Sequence, residues 1–394
     1  MVFTADLHLH SRYSYACGKD LTLTDMFSWA KLKGIELLST GDFTHPAWLS
    51  ELEANLGPTK DGGRVFEEVR FVLGSEISCV YRQNSRTRRV HLLVYAPTFE
   101  VVHRIRQELE NRSSKLNSDG RPTVAVSAKE LIARLLEIDD TCMVVPAHVW
   151  TPWYGMLGSN SGFDSLEECF GDMASHVQAV ETGLSSDPAM NWGVPAVEGK
   201  TIVSFSDAHS LPNMGRELTV FEGKPGYPDL AAGLKGNKVV QTVEFFPEAD
   251  KYHLTGHRKC GISQTPDQTK TLGNVCPVCR CPLTLGVLHR VKELRSEVEP
   301  KGERLRPYVK LMPLMELLGL TMGRGQKTKL VRRAYNRICS ELGGEIQILT
   351  QAGLDDLKQV CGDDLAYAVI KIRTGQVELV SGFDGQYGTV RPAV

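Results

Sequence analysis

Asp6-Leu7-His8-Leu9-His10 closes the first β-rich run of the chain, and Asp42 and His45 follow the second. Glu76 ends the third run, His91 lies within the fourth, His148 ends the fifth, and Asp207 and His209 end the seventh. In an extended segment side chains alternate with period two, so His8-x-His10 and Asp207-x-His209 each turn two potential ligands to one side. Imidazole combined with carboxylate suits zinc, manganese or iron better than calcium. A lone histidine is more often a hydrogen-bonded core residue than a ligand. Candidates recurring at successive strand ends are much harder to obtain by accident, so His8, His10, Asp42, His45, Glu76, His91, His148, Asp207 and His209 are expected to hold several metal ions. Two or three cations roughly 3.5–4 Å apart would polarise a phosphate, lower the pKa of a bridging water and stabilise the leaving oxygen, with no protein nucleophile required.

A second ligand group is local. His257-x-x-Cys260 is followed by Cys276-x-x-Cys279, and such paired ligands close a tetrahedral structural zinc site. A redox CxxC would not explain the upstream HxxC; Cys281 or His253 could replace one of the four. The other cysteines of the ten are scattered singly in apolar contexts, as core thiols are.

The distant ligands can meet only if a fold brings strand ends together. Apolar runs at 2–6, 35–39, 70–76, 90–95, 143–147, 177–181, 201–206 and 218–221 alternate with helical patterns, which implies a parallel sheet. Thr24 is placed to cap a helix over 25–33 that ends at Gly34, and Ser127 a helix over 128–138. A distorted TIM-like βα barrel fits, and a barrel collects its chemistry on the rim formed by the strand carboxyl ends. At 394 residues the chain has room for more than one unit: the α/β barrel over 1–245, a small zinc-binding domain over 246–300, and a basic, mainly helical domain over 301–394.

With 45 Lys+Arg against 47 Asp+Glu, the whole chain is not polyionic, so a nucleic-acid surface must be a local patch. Between 301 and 337 stand Lys301, Arg304, Arg306, Lys310, Arg324, Lys327, Lys329, Arg332, Arg333 and Arg337 against Glu303 and Glu316, a phosphate-binding footprint. The bland alternative is a solvated helix face. Arg82, Arg86, Arg88 and Arg89 lie in a hairpin expected between Glu76 and His91, next to the expected metals. Trp150, Trp153 and Tyr154 follow His148 and could stack on a base, and Glu181, Ser185 and Ser186 could read the edge of an extruded one. No apolar run approaches the roughly 20 residues of a membrane span and the start shows no leader pattern, so a cytoplasmic protein is expected.

Through DLHLHS, GDFTH, the strand-end Glu76, HLLVYAP, the strand-end His148 and SDAH, residues 1–245 resemble the polymerase and histidinol phosphatase (PHP) family. The resemblance implies phosphoester cleavage, with His8, His10, Glu76 and Asp207 on one ion, Glu76 bridging to a second held by His91 and His148, and His209 reaching a third. Asp42 matches the family's second motif, and Asp42, Glu76 and Asp207 are the carboxylates expected to be catalytic. Two features depart from the pattern. Phe43 follows Asp42, displacing the usual adjacent histidine to His45, and where another ligand is usual after His-x-His the chain has Tyr15, Ala16 and Cys17.

A closer resemblance, through RYSYACGKDLTL, AVETGLSSDPAMNW, the HRKC…CPVC…LTLGVLHRV region and GFDGQYG, extends over essentially the whole chain and points to a DNA repair endonuclease branch of that family. It implies nicking on the 5′ side of deaminated bases (uracil, hypoxanthine, xanthine) and at abasic sites, with Zn²⁺ in the structural site and at the rim, or Mg²⁺ or Mn²⁺ in catalysis. A small-molecule phosphatase of the histidinol-phosphate kind is the runner-up: it needs the same metals but neither a zinc module nor a basic tail. A metal-supported scaffold is third.

Overall fold

The computed structural model describes residues 1–59, 63–111, 115–297 and 305–393. Seven strands wall a small barrel: β1 (Val2–Asp6), β2 (Leu37–Ser39), β3 (Val69–Gln83), β4 (Arg86–Ala96), β5 (Met143–Pro146), β6 (Ala179–Glu181) and β7 (Thr201–Val203). Its apolar filling takes Phe3, Ala5, Leu37, Val72, Leu93, Tyr95, Val145, Ala179 and Val203, so every wall strand contributes. Closure comes at the top, where Leu9 pairs with Ala208 just beyond β7. Helices capped by local chemistry pack outside: Ser127 accepts from Glu130 N over the helix Ala128–Ile138. The expected cap Thr24 is corrected to Thr22, which accepts from Asp25 N at the start of Leu23–Lys33.

The sheet is mixed, which corrects the all-parallel expectation. β1, β2 and β3 run parallel, as do β6 and β7, but β3 and β4 form a long antiparallel hairpin and β4 pairs antiparallel with β5. Asn84 and Ser85, both at positive φ, make the two-residue turn that allows it. Beyond the wall, β8 (Leu218–Glu222) pairs antiparallel with β1 and with β9 (Val239–Glu244).

The expected division at residue 301 does not begin with a helix: β10 (Tyr308–Lys310) adds parallel to β9. Helices Leu314–Thr321, Lys329–Leu342, Glu345–Thr350, Leu354–Cys361 and Asp363–Arg373 follow. They are anchored on the barrel by a fully buried ion pair, Lys33 Nζ to Glu345 Oε2 at 2.7 Å, with Tyr335 also donating to that carboxylate. The hairpin Val377–Val380/Thr389–Pro392 turns back, so that Asp384 accepts from Arg258 N and Thr284 Oγ1. None of the described helices is long and apolar enough to cross a membrane.

Candidate functional site

The barrel delivers its polar residues just past the strand ends, and three of them are held in the left-handed region: Asp42 at φ 48, His148 at φ 30 and Asp207 at φ 45. Each such residue costs about 1–3 kcal/mol and persists only where surrounding contacts enforce it. Asp6 supplies one such contact, its buried carboxylate accepting from Ser206 N and Gly215 N on either side of the Asp207–His209 segment. Gly183, at φ 60, supplies another by absence of a side chain, because a Cβ there would lie 2.5 Å from the Cβ of His148.

Three groups of ligand atoms result: His8, His10 and Glu76; Glu76, His91 and His148; and His10, Asp207 and His209. Glu76 is shared, its Oε2 facing His8 Nε2 (3.6 Å) and His10 Nε2 (3.4 Å) and its Oε1 facing His91 Nδ1 (2.5 Å) and His148 Nε2 (3.2 Å). Asp207 Oδ1 lies 3.4 Å from His8 Nε2, 3.2 Å from His10 Nε2 and 3.5 Å from His209 Nδ1. Ligands about 2.0–2.2 Å from a tetrahedral ion stand roughly 3.4 Å apart, so the donors fit metal ions. The buried His8 Nε2, which has no hydrogen-bond partner, points to the same use.

Behind the ligands lies a second layer. Glu181 accepts from His8 Nδ1 at 3.0 and 3.1 Å and from the His148 backbone N–H at 2.7 Å. Asp42 accepts from His10 Nδ1 at 3.1 Å and from Ser11 N, Ser11 Oγ and Ser14 Oγ. Carboxylates bonded to the far imidazole nitrogen fix tautomer and ring orientation. Burial disfavours the imidazolium forms of His8 and His10, but the surrounding carboxylates outweigh it and hold both pKa values well above the usual range. Burial works the other way at His91, whose pKa falls to about 4 despite Glu76. Burial also opposes ionisation of Glu76, yet His91, His8 and Arg121 win and keep it well below the usual carboxylate range.

Several sequence-based expectations are corrected. Asp42 joins none of the three ligand groups, because its oxygens are taken by His10, Ser11 and Ser14. His45 is absent from them too; it stacks on Tyr13 and its Nε2 donates to Asn117 O. Glu181, Ser185 and Ser186 are buried, Glu181 behind His8 and Ser186 donating to Thr182 O; of the three, only Ser185 lines the mouth cavity. Trp150 is core, its indole N–H on Asn191 Oδ1, whereas Trp153 and Tyr154 line the mouth. Arg88 is buried over Phe163 and donates to Gly162 O. Arg82 and Arg86 are exposed, but Arg82 is six residues along the strand from Glu76, about 20 Å at strand rise, and so is not beside the metal ligands. Arg89 lies over the Tyr154 ring.

The mouth is a cavity of about 620 Å³. His91, His148, Asp207 and His209 form its floor; Trp153, Tyr154, Tyr252, Lys251, Arg216 and Tyr387 are among its walls. Sequence reasoning missed Arg121, Lys251, Tyr252 and Tyr387. Tyr387 sits inside GFDGQYG, far from any motif for ligands, and nothing local marks the others.

Away from the barrel, the His257, Cys260, Cys276 and Cys279 ligand atoms converge, with Cys279 Sγ 3.4 Å from His257 Nδ1; ligands of tetrahedral zinc stand roughly 3.5 Å apart. Backbone N–H donation from Cys281 leads the factors that lower the Cys279 thiol to about 7. Cys281 and His253 are outside this group. Of the basic run, Lys301, Arg304 and Glu303 lie outside the described residues, Arg306 donates to Asn237 O, and Lys310 is paired with Asp187 and Glu248. Among the described residues of the run, Arg324, Lys327, Lys329, Arg332, Arg333 and Arg337 are exposed and form the patch, around the start of the helix Lys329–Leu342.

A βα barrel whose rim gathers three adjoining imidazole–carboxylate groups defines the class as a PHP-type metal-dependent hydrolase fold. A family model described as the MJ0043 C-terminal domain matches residues 313–376. The uncharacterized protein YqxK of Bacillus subtilis is 29% identical over 98% of this chain and 99% of its own. The lesion-specific endonuclease PfuEndoQ from Pyrococcus furiosus is 32% identical, covers 99% of this chain with 95% of its own, and superposes with a TM-score of 0.88. Endonuclease Q bound to a 27-mer duplex with an abasic lesion at the active site is also 32% identical, over 99% of this chain and 96% of that one, with a TM-score of 0.89. The chain belongs to the endonuclease Q family.

Proposed function

We propose that this protein is a DNA repair endonuclease that hydrolyses the phosphodiester on the 5′ side of uracil, hypoxanthine and xanthine and at abasic sites. The observation that carries the reading is the sharing of Glu76 between two ligand groups, one of which puts His91 and His148 in the mouth cavity, in a chain whose relatives include a lesion-specific endonuclease. The abasic duplex in the active site of endonuclease Q supports DNA as the substrate. A small-molecule phosphatase needs neither the four-ligand module nor the exposed basic patch.

In this reading Glu76 and Asp207, with His8, His10, His91, His148 and His209, hold the catalytic ions, Zn²⁺ or else Mn²⁺ or Mg²⁺. When bound, such ions lower the pKa of water and stabilise charge on the phosphate. Glu181 and Asp42 keep the His8 and His10 rings aimed at the mouth. Trp153, Tyr154, Tyr252 and Tyr387 offer flat faces to a nucleotide drawn out of the duplex, because the edges that distinguish a deaminated base are hidden by pairing. Residues 1–245 would then cut, 246–300 carry structural zinc, and 301–394 bind duplex through Lys327, Lys329, Arg332 and Arg333, in the cytoplasm.

The test is a nicking assay on duplexes with one deoxyuridine, one deoxyinosine or one abasic site, beside an unmodified duplex and a small phosphomonoester. Cleavage confined to the lesion strands is expected. Turnover of the phosphomonoester with no cutting of any duplex would overturn the reading in favour of the phosphatase.

A further inference from the structure

Arg121 stands where the sequence offered no reason to look. Its Nη1 donates to Glu76 Oε2 at 3.2 Å, and among the described residues it is the one Lys or Arg side chain that pairs with a carboxylate of the three ligand groups. The segment that carries it is tied to the rim at every step. Asn117 O accepts from His45 Nε2, and Asp119 Oδ1 accepts from Tyr15 N and Arg121 N. Gly120 N donates to Tyr13 O, Thr44 Oγ1 to Gly120 O, and Ser78 N to Pro122 O. Gly120 presses so closely on the carboxylate behind His10 that a Cβ would lie 2.4 Å from Asp42 Oδ2 and from Ser14 Oγ. His45, displaced from the family's Asp-His position, has become one of the ties of this strap.

We propose that Arg121 is a catalytic residue whose guanidinium holds a non-bridging oxygen of the scissile phosphodiester at the metal rim. The proposal rests on reading the rim as a phosphodiester-cleaving site. A guanidinium has five N–H donors in a planar fork that matches phosphate oxygens. One is committed to Glu76, and the side chain is 27% exposed, so the guanidinium beside the shared ligand is not sealed from solvent. A fixed cation beside metal ligands repels the ions those ligands bind, a cost that a purely structural tie would not require. Held on the phosphate, it stabilises the charge that grows on the non-bridging oxygens as water oxygen bonds to phosphorus and the bond to one sugar oxygen breaks, that oxygen leaving with the bonding pair and taking up the proton the water gives up. Arg121 keeps its proton throughout.

The experiment compares wild type with Arg121→Lys and Arg121→Ala for metal content, affinity for an abasic duplex, and single-turnover cleavage with and without added guanidinium chloride. For Arg121→Ala we expect metal content and duplex affinity close to wild type, cleavage slower by about 10²–10³-fold, and part of the rate restored by guanidinium. Arg121→Lys should lie between, since an ammonium keeps the charge and loses the fork. Wild-type cleavage by Arg121→Ala, or a loss that tracks missing metal and is not rescued by guanidinium, would overturn the role of Arg121 alone. Wild-type protein that cuts no lesion duplex would instead overturn the functional reading and this one with it.

Discussion

The barrel rim and the four-ligand module both gather metal donors, but they are built by opposite means. Rim ligands come from five chain segments between residues 8 and 209, and His8, His10, Glu76, His91 and His148 are all less than a tenth exposed. Their geometry is imposed by strands, by Glu181 and Asp42, and by an apolar barrel beneath. The module's ligands all lie between 257 and 279, next to exposed Leu272, Val275 and Val278, with Leu283 and Val287 among its few buried apolar side chains. One site is held by the fold whether or not metal is present. The other, in the reading proposed above, would use metal to hold its fold, since so little apolar surface is buried there.

The comparison breaks hardest at the rim's shared ligand. Glu76→Ala, and likewise His8→Ala or Asp207→Ala, should reduce lesion cleavage below detection while circular dichroism and lesion binding remain near wild type. Any such variant that cleaves normally with verified metal content has no part in the mechanism. At the module the expected order reverses. Cys276→Ser or Cys279→Ser should release about one zinc per chain, lower the melting temperature and open residues 246–297 to protease, because structural zinc contributes directly to folding free energy. Unchanged zinc content and melting temperature would show that the module holds no structural ion.

Smaller effects sharpen the picture. Asp42→Ala or Glu181→Ala should weaken rim metal binding about 10–100-fold without removing a ligand; total loss of metal from Asp42→Ala would instead make it a direct ligand. Rim metal affinity should rise with pH above neutrality, as ions must displace protons from His8 and His10, whose pKa values are raised in the metal-free protein. The same raised values stabilise metal-free protein fully below the ordinary histidine pKa of about 6.5, and that contribution is lost as pH climbs through the folded values. Isothermal titration at several pH values reads the first, melting of metal-free protein the second. Last, replacing Lys327, Lys329, Arg332 and Arg333 together should make the slope of log affinity against log salt shallower by about 3–4 while leaving single-turnover chemistry intact. An unchanged slope would mean the patch faces only solvent.

What the sequence determined by itself was whatever depends on residue type and short spacing. Short apolar runs alternating with helical patterns marked the barrel strands, and ligand-rich strand ends marked His8, His10, Glu76, His91, His148, Asp207 and His209, all of which the structure brings together. The HxxC and CxxC pairs marked the module, whose ligands stand close in the chain. Tertiary structure alone decided which polar residue became a ligand and which a support. Asp42, His45 and Glu181 have the right chemistry at the right strand ends, yet hydrogen-bond partners from elsewhere in the chain, His10, Asn117 and His8, claimed them. It also decided that Arg121 reaches the shared ligand Glu76 and that Tyr387 reaches the mouth, both from segments with no motif for the rim. The physical reason is that strand periodicity fixes the face a side chain takes locally, while its partner across the barrel is set by long-range packing that no local spacing encodes.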